Sequence, residues 1–318
     1  MLETAALYQV DAFTRERFAG NPAGVLSGAG GLSSGLMQLI AREMNCSETA
    51  FILPPDADDH DVHIRYFTPT TEVPICGHAT IAAHYVRAIE LGLLAPHRVR
   101  AKTGIGVLPV DVRHDGTDYR IAMTQGRVEF GERLKGEHLD QILCALGLRR
   151  SDLDERCPVE VVSTGHSKIL VGLGDIRSLH TLRPDLGSLA EISNLIDCSG
   201  FFAFTLDSDD PAILTHGRMF APAIGISEDP VTGNANGPLG AYLIRHHLAS
   251  ASGGLFRFRA RQGVHMGRPG EVDVTVSVDA GGEPTQVQVE GSAVIAFRAR
   301  FEPGLFPRKR SAGRWATG

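Results

Sequence analysis

Two short stretches, half a chain apart, constrain the fold of this chain more than any other feature. DPVTGNANGPLGAYL begins at Asp229, and EVPICGHATIAAHYV begins at Glu72. Each places an acid and a proline ahead of glycine and polar residues, and an apolar run rich in small side chains follows. Small side chains let a helix pack closely inside a curved sheet. The shared outline therefore predicts two similar halves, each a sheet wrapped around a central helix.

The patterns between these stretches agree with two strand-rich halves. ALYQVDAF, ETAFIL and DVHIRYFT are rich in strand formers and predict strands. HATIAAHYVRAIELGLL predicts a buried helix, because apolar and small residues cover much of its circumference. After residue 126 the order restarts, and NGPLGAYLIRHHL predicts a second helix of the same kind. A length of 318 residues also favours two domains.

Composition and charge exclude several classes of protein. The formal net charge is −6 with no long run of one sign, so we expect no nucleic-acid partner. No apolar run approaches the roughly 20 residues of a membrane span, and MLETAALYQVDAFT lacks a signal-peptide pattern. The five cysteines are odd in number and include no C-x-x-C, which disfavours a disulfide framework or a structural zinc site. We expect a cytoplasmic protein with a disordered tail at residues 306–318.

The two glycine-rich stretches predict sites for an acidic ligand. A helix N-terminus offers free backbone N–H groups and a partial positive charge, and glycine lets a ligand approach closely. Two such termini facing one cleft would hold one small carboxylate. Either stretch alone is better explained as ordinary turn chemistry. The pair, with ionisable side chains next to it, favours a functional site.

Four ionisable residues stand beside these helix starts or before a strand: Glu48, Cys76, His78 and Asp229. His78 suits proton transfer, although a lone histidine is more often a structural donor. Asp229 could orient a histidine, hold a substrate amine or cap a helix. Glu48 could point into a cleft, lie on the surface or take part in capping through Ser47. Cys76 could simply be a small buried residue.

Metal and nucleotide cofactors are not expected. His63 and His78 are far apart, and the adjacent His246 and His247 would lie on different faces of a helix. His166 in STGHSK has no partner at metal-ligand spacing. TGIGVLP lacks the third glycine of a dinucleotide fingerprint, and no P-loop sequence occurs.

Five motifs, in this order, carry a resemblance to a known family: DAFTRERFAGNPAGV, NCSETAFI, RYFTPTTEVPICGHAT, STGHSK and EDPVTGNANGPLGAYL. Together they resemble the phenazine-biosynthesis isomerase (PhzF-like) family of the diaminopimelate-epimerase superfamily, over about residues 8–300. The resemblance implies an α/β (α+β) fold of two pseudo-symmetric domains, each a rolled, mostly antiparallel sheet around a central helix. The implied domains are residues 1–125 with about 293–305, in which the last strand crosses back to the first domain, and residues 126–292. Members of this family are often homodimers, which we also expect here.

The resemblance also implies roles for individual residues. Glu48 matches the acid/base of the family, and His78 and Asp229 match residues that assist it. Asn21 matches a position where the superfamily has a polar residue that contacts the substrate. An asparagine in an ordinary turn would give the same sequence pattern. The implied backbone donors to the substrate are Gly77, His78, Gly233 and Asn234. The phenazine enzyme has serine where this chain has Asn234, which argues against the phenazine substrate.

Three functions remain open from the sequence. The first is a cofactor-independent isomerase that uses Glu48 to move a proton on a small carboxylate. The second is an amino-acid racemase or epimerase that uses Glu48 and Cys76. The epimerase relatives use two cysteines, but here Thr232 stands at the second position, and its hydroxyl is too weak an acid to replace a thiol. The third is a metabolite-binding protein without catalysis.

Overall fold

The computed structural model describes residues 5–301, which form eighteen strands and six α-helices. The strands are β1 Ala6–Ala12, β2 Asn21–Ser27, β3 Thr49–Leu53, β4 Val62–Phe67, β5 Glu72–Val73, β6 His97–Thr103, β7 Gly106–His114, β8 Tyr119–Thr124, β9 Glu129–Arg133, β10 Glu160–Ser163, β11 Lys168–Leu173, β12 Phe201–Thr205, β13 Thr215–Ala221, β14 Ile226–Asp229, β15 Leu255–Gln262, β16 Gly270–Val278, β17 Pro284–Gly291 and β18 Ala293–Ala299. The helices are α1 Ser34–Met44, α2 Gly77–Leu91, α3 Gly136–Leu146, α4 Ile176–His180, α5 Leu186–Ile196 and α6 Gly233–Arg245. The tail expected at residues 306–318 lies outside the described range.

The order of strand pairing repeats between the halves of the chain. In the first half, β1 is antiparallel to β2, β2 is parallel to β3, β3 is antiparallel to β4, and β4 is parallel to β6. In the second half, β10, β11, β12, β13 and β15 follow the same sequence of pairings. Antiparallel strands β7 and β8, and β16 and β17, complete the two sheets. The predicted pair of similar, mostly antiparallel halves is confirmed.

Helices lie in the connections between the parallel strands, because parallel neighbours need a crossover segment. Helix α2 joins β5 to β6 and packs against β1, β2, β3 and β8, while α6 joins β14 to β15 and packs against β10, β15, β16 and β17. Both helices bury most of their residues, as their small side chains predict. Each sheet therefore encloses one central helix.

The bounds of α6 differ from the prediction. The sequence places its start at Asn236 and its end at Leu248, but the helix runs three residues earlier, over Gly233–Arg245. It begins early because Oε1 of Gln262 accepts the backbone N–H of Thr232 at 3.0 Å and fixes the N-cap. It ends early because the backbone after it turns left-handed, with a φ of 55° at His247. The glycines and asparagines are therefore the first turns of the helix and not a loop before it.

The two halves form one connected sheet. Strand β18 pairs with β1, so the last strand returns to the first half as the resemblance implies, and β17 pairs with β8. A single buried apolar cluster includes residues of both central helices. The expected domain limits near residues 125 and 292 fall between β8 and β9 and between β17 and β18, and the division into domains stays a prediction. Among the described helices, none is long and apolar enough to cross a membrane.

Candidate active site

The N-termini of α2 and α6 face each other. Cys76 is the N-cap of α2 and Thr232 is the N-cap of α6. A Cβ built on Gly77 would lie 3.6 Å from Oδ1 of Asn234, so the two first turns meet. The leading N–H groups of a helix have no partner within it, and they carry its partial positive charge. All the predicted backbone donors lie in these two first turns: Gly77, His78, Gly233 and Asn234.

Glu48, Cys76 and His78 come together at the start of α2. Nε2 of His78 lies 3.4 Å from Oε2 of Glu48, and Nδ1 lies 3.4 Å from Sγ of Cys76. Ser47 adds a contact of 3.3 Å between its Oγ and Nε2 of the same histidine. The Glu48 side chain is 13% exposed, and its Oε2 has no hydrogen-bond partner within residues 5–301. This oxygen is thus a buried acceptor whose lone pairs no described residue uses.

The thiol of Cys76 contacts Nδ1 of His78 and stays protonated at neutral pH. Burial raises the pKa of Cys76 well above its usual value, and the negative charge of Glu48 raises it further. The residue therefore stays a thiol at neutral pH, and it donates to Nδ1 of His78 or accepts from it according to the histidine tautomer. Nε2 is the nitrogen of His78 that faces Glu48 and Ser47.

Hydrogen bonds hold Asp229 just before the N-terminus of α6, across the gap between α2 and α6 from the Glu48, Cys76 and His78 group. Nδ2 of Asn21 donates to its Oδ1 at 2.8 Å, and the hydroxyl of Thr232 donates to its Oδ2. Burial raises the pKa of Asp229, the nearby charge of His78 lowers it, and Glu48 raises it again. Asp229 is not the N-cap of α6, since Thr232 holds that position. The structure thus places Asn21 and Asp229 in contact, and Asp229 is within electrostatic range of Glu48 and His78.

A small cleft lies beside these groups. Its volume is about 240 Å³, and its walls include Asn21, Cys46, Ser47 and Asp229. Glu48, Cys76 and His78 do not line it. Of the catalytic candidates, Asp229 borders the cleft, and Ser47 at its wall contacts Nε2 of His78.

Two glutamines support the α6 terminus and were not predicted. Gln262 accepts the N–H of Thr232 and donates to the backbone oxygen of Asp229 at 2.7 Å. Gln125 donates to the backbone oxygen of Gly233 at 2.9 Å. Neither glutamine belongs to a recognisable motif, because the end of β15, which carries Gln262, and the segment after β8, which carries Gln125, reach α6 only through the tertiary fold.

One group of side chains has the spacing of a metal site. Glu48, Cys76 and His78 each offer one ligand atom, and these atoms lie within 4.8 Å of one another. Zinc accepts this donor set when the cysteine is a thiolate. The same three groups also fit proton transfer with Cys76 as a neutral thiol, since burial raises its pKa well above the usual value.

The sequence matches the PhzC-PhzF family, described as phenazine biosynthesis-like protein, over residues 10–299. The chain belongs to this family. An uncharacterised isomerase of Clostridium acetobutylicum is 52% identical over 301 residues, covering 95% of this chain and 99% of the relative. The trans-2,3-dihydro-3-hydroxyanthranilate isomerase of Pseudomonas aeruginosa is 34% identical over 297 residues, covering 92% of this chain and 97% of that one. The chain is accordingly an isomerase of the PhzF family.

Solved structures agree with the family and the fold. The PhzF-family phenazine biosynthesis protein of Bacillus anthracis has a TM-score of 0.84 and 30% identity, covering 93% of this chain and 98% of that chain. A probable proline racemase from Agrobacterium radiobacter has a TM-score of 0.63 at 14% identity, covering 95% of this chain and 94% of that chain. This second likeness concerns the fold alone. The expected diaminopimelate-epimerase-like fold of this PhzF-family chain is confirmed.

Proposed function

We propose that this isomerase works without a cofactor and moves a proton on a small carboxylate substrate, with Glu48 as the acid/base. The observation that supports this most is the position of Oε2 of Glu48. It is buried without a hydrogen-bond partner in the described chain, and it lies 3.4 Å from Nε2 of His78 at a helix N-terminus. A carboxylate oxygen in this setting can accept a proton from carbon and return it.

The proposed reaction conserves atoms and electrons. Glu48 takes a proton from a carbon next to a double bond or a carbonyl group, and the released electron pair moves into that unsaturated system. The protonated Glu48 then delivers the proton to another carbon of the same system. The free N–H groups at the starts of α2 and α6 hold the carboxylate of the substrate and stabilise the charge that develops.

His78 and Asp229 assist in different ways. Nε2 of His78 lies 3.4 Å from Oε2 of Glu48, and this contact keeps the carboxylate in position for the substrate. Asp229 accepts hydrogen bonds from Asn21 and Thr232, which fix it beside the gap. Its carboxylate is placed to bind a substrate amino or hydroxyl group.

The substrate we propose is a small amino, hydroxy or cyclic unsaturated acid. The name of the Pseudomonas aeruginosa relative makes trans-2,3-dihydro-3-hydroxyanthranilate a natural test compound. Asn234 stands where the resemblance places a serine, and its larger amide changes both the shape and the donors of the pocket. We infer that the substrate of this chain differs from that compound.

The test is solvent deuterium uptake. Wild type, Glu48→Gln and Glu43→Gln are incubated in heavy water with a panel of such acids, and mass spectrometry detects any gain in mass. We expect one acid to gain deuterium, at a rate reduced about a hundredfold or more by Glu48→Gln. Glu43→Gln is the control, because Glu43 is exposed on α1. Equal uptake with Glu48→Gln, or none across the panel, would contradict the proposal.

A second candidate is an amino-acid racemase or epimerase that uses Glu48 and Cys76 as the two proton carriers. The observation in its favour is that Sγ of Cys76 lies in the same compact group as Glu48 and His78. The raised pKa of the thiol argues against it, because one direction of a racemase needs the thiolate as a base. The homodimer and the cytoplasmic location stay predictions, which light scattering and cell fractionation can test.

A further inference from the structure

Three side chains from separate parts of the chain meet against α6: Thr164, Gln125 and Asn234. The hydroxyl of Thr164 donates to Oε1 of Gln125 at 2.8 Å. Nε2 of Gln125 donates to the backbone oxygen of Gly233 at 2.9 Å and to Oδ1 of Asn234 at 3.1 Å. We call these three residues the amide relay. Thr164 lies in STGHSK, a motif that the proposed reaction leaves without a role.

The orientation of the Gln125 and Asn234 side-chain amides follows from the backbone oxygen of Gly233. The backbone oxygen of Gly233 can only accept a hydrogen bond, so the side-chain atom of Gln125 beside it must be the nitrogen. Oε1 of Gln125 then faces Thr164, whose hydroxyl must donate. The second proton of Nε2 points to Asn234, so the Asn234 atom in contact must be the oxygen.

The relay leaves the amino group of Asn234 free. Nδ2 of Asn234 makes no hydrogen bond to any residue in the described part of the chain, whereas its Oδ1 is engaged by Gln125. Of the Asn234 atoms, Oδ1 lies nearest Gly77, at 3.6 Å from the Cβ that a side chain would have there, so the amide sits where the two helix N-termini meet. Nδ2 can donate but cannot accept, so it adds a directed donor to a region that already offers backbone N–H groups.

A glycine of the α6 motif makes room for the relay. A Cβ at Gly237 would lie 2.0 Å from Oε1 of Gln125 and 2.7 Å from its Cδ. No side chain can occupy that place while Gln125 keeps its hydrogen bonds. Glycine disfavours a helix interior, so helix formation does not explain a glycine at position 237. The space that the Gln125 side chain needs does explain it.

We propose that Gln125 is a positioning residue that sets substrate selectivity through Asn234. By holding Oδ1, it leaves Nδ2 as the unbonded polar atom of Asn234 beside the gap between α2 and α6, so that this side chain favours a substrate with a carboxylate or carbonyl oxygen there. This inference rests on the proposed function, because it assumes an acid bound between the two helix starts.

The first measurement needs no ligand. Side-chain amide hydrogen exchange is followed by NMR, with the two NH₂ signals assigned by their loss in Gln125→Leu and Asn234→Ala. Both Nε2 protons of Gln125 are bonded, so we expect slow exchange there and fast exchange at Asn234. The reverse pattern would overturn the assigned orientation, whether or not the protein proves to be an isomerase.

The second measurement is a double-mutant cycle with 2-aminobenzoate as the probe, a stable aromatic acid. Its Kd is measured by calorimetry for wild type, Gln125→Leu, Asn234→Ala and the double variant. We expect Gln125→Leu to weaken binding about threefold to tenfold in wild type, since Asn234 is released, and to have no effect in the Asn234→Ala background. Gly237→Ala should reproduce the loss by displacing Gln125.

Each alternative outcome is decisive. Equal weakening by Gln125→Leu in both backgrounds would show a merely structural role and overturn the proposal. Binding of aniline as tightly as 2-aminobenzoate, from which it differs only by lacking the carboxylate, would overturn the selectivity for an acid. Gln141→Leu is the matched control, because Gln141 is an exposed glutamine on α3 that contacts only Glu137 of its own helix. Deuterium uptake that persists while the cycle shows no coupling would reject this inference and leave the proposed function intact.

Discussion

Substituting Cys76 by serine and by alanine distinguishes a role of this residue in proton transfer from a role in positioning His78. A thiol with the usual pKa of 9.0 would be only about 3% thiolate at about pH 7.5. Burial and the charge of Glu48 raise the pKa well above 9.0, so the thiolate is scarcer still. Cys76 is therefore a poor base, and its contribution is the hydrogen bond to Nδ1 of His78 at 3.4 Å.

The magnitude follows from that one hydrogen bond. Serine keeps a donor near Nδ1, so we expect Cys76→Ser to retain activity within about threefold. Alanine leaves Nδ1 without a donor, and the loss of about 1 kcal/mol corresponds to roughly a fivefold lower rate. A proton carrier would behave differently, because neither serine nor alanine can replace a thiol. Both variants would then lose about a hundredfold or more.

The assay is the rate of deuterium uptake into the acid that the wild type exchanges. The variants are compared across the pH range, with Cys144→Ser as the control, since Cys144 is exposed on α3. We expect the order wild type, serine, alanine, with modest steps. A collapse of both Cys76 variants, with the control unchanged, would refute the positioning role and establish the two-carrier racemase mechanism.

Three other perturbations have defined outcomes. Burial lowers the pKa of His84 to about 3 from an ordinary 6.5, so the folded protein binds a proton at His84 less readily than the unfolded chain does. The free energy of unfolding should therefore fall by about 1.4 kcal/mol per pH unit as the pH drops below 6.5. Urea titrations of His84→Met should show a flatter dependence on pH. The raised pKa of Asp229 makes its charge destabilising at neutral pH. Asp229→Asn should therefore raise the melting temperature by a few degrees while slowing deuterium uptake, and an unchanged rate would exclude a role in the reaction. Dialysis against a chelator should leave uptake unchanged, and a loss restored by zinc would assign the Glu48 cluster to a metal.

The candidate site was largely predictable because its residues lie in short, contiguous motifs. Glu48 stands in NCSETAFI, His78 in ICGHAT and Asp229 in EDPVTG, each next to a helix or strand start that the local pattern reveals. Their roles came from the resemblance and not from spacing. Motif spacing could not predict that Asp229 contacts Asn21, because the two residues are 208 positions apart in the chain.

The sequence by itself determined the two small-residue helices, the strands around them and the residue types at their starts, because these depend on periodicity and on neighbouring residues. The tertiary structure alone decided where α6 begins and how its first turn is held. Gln262 lies 30 residues from the Thr232 that it caps, and Gln125 lies 109 residues from the Asn234 that it orients. A glutamine at the end of a strand has no local signature for such contacts, since its partners come within reach only when both sheets close around their helices.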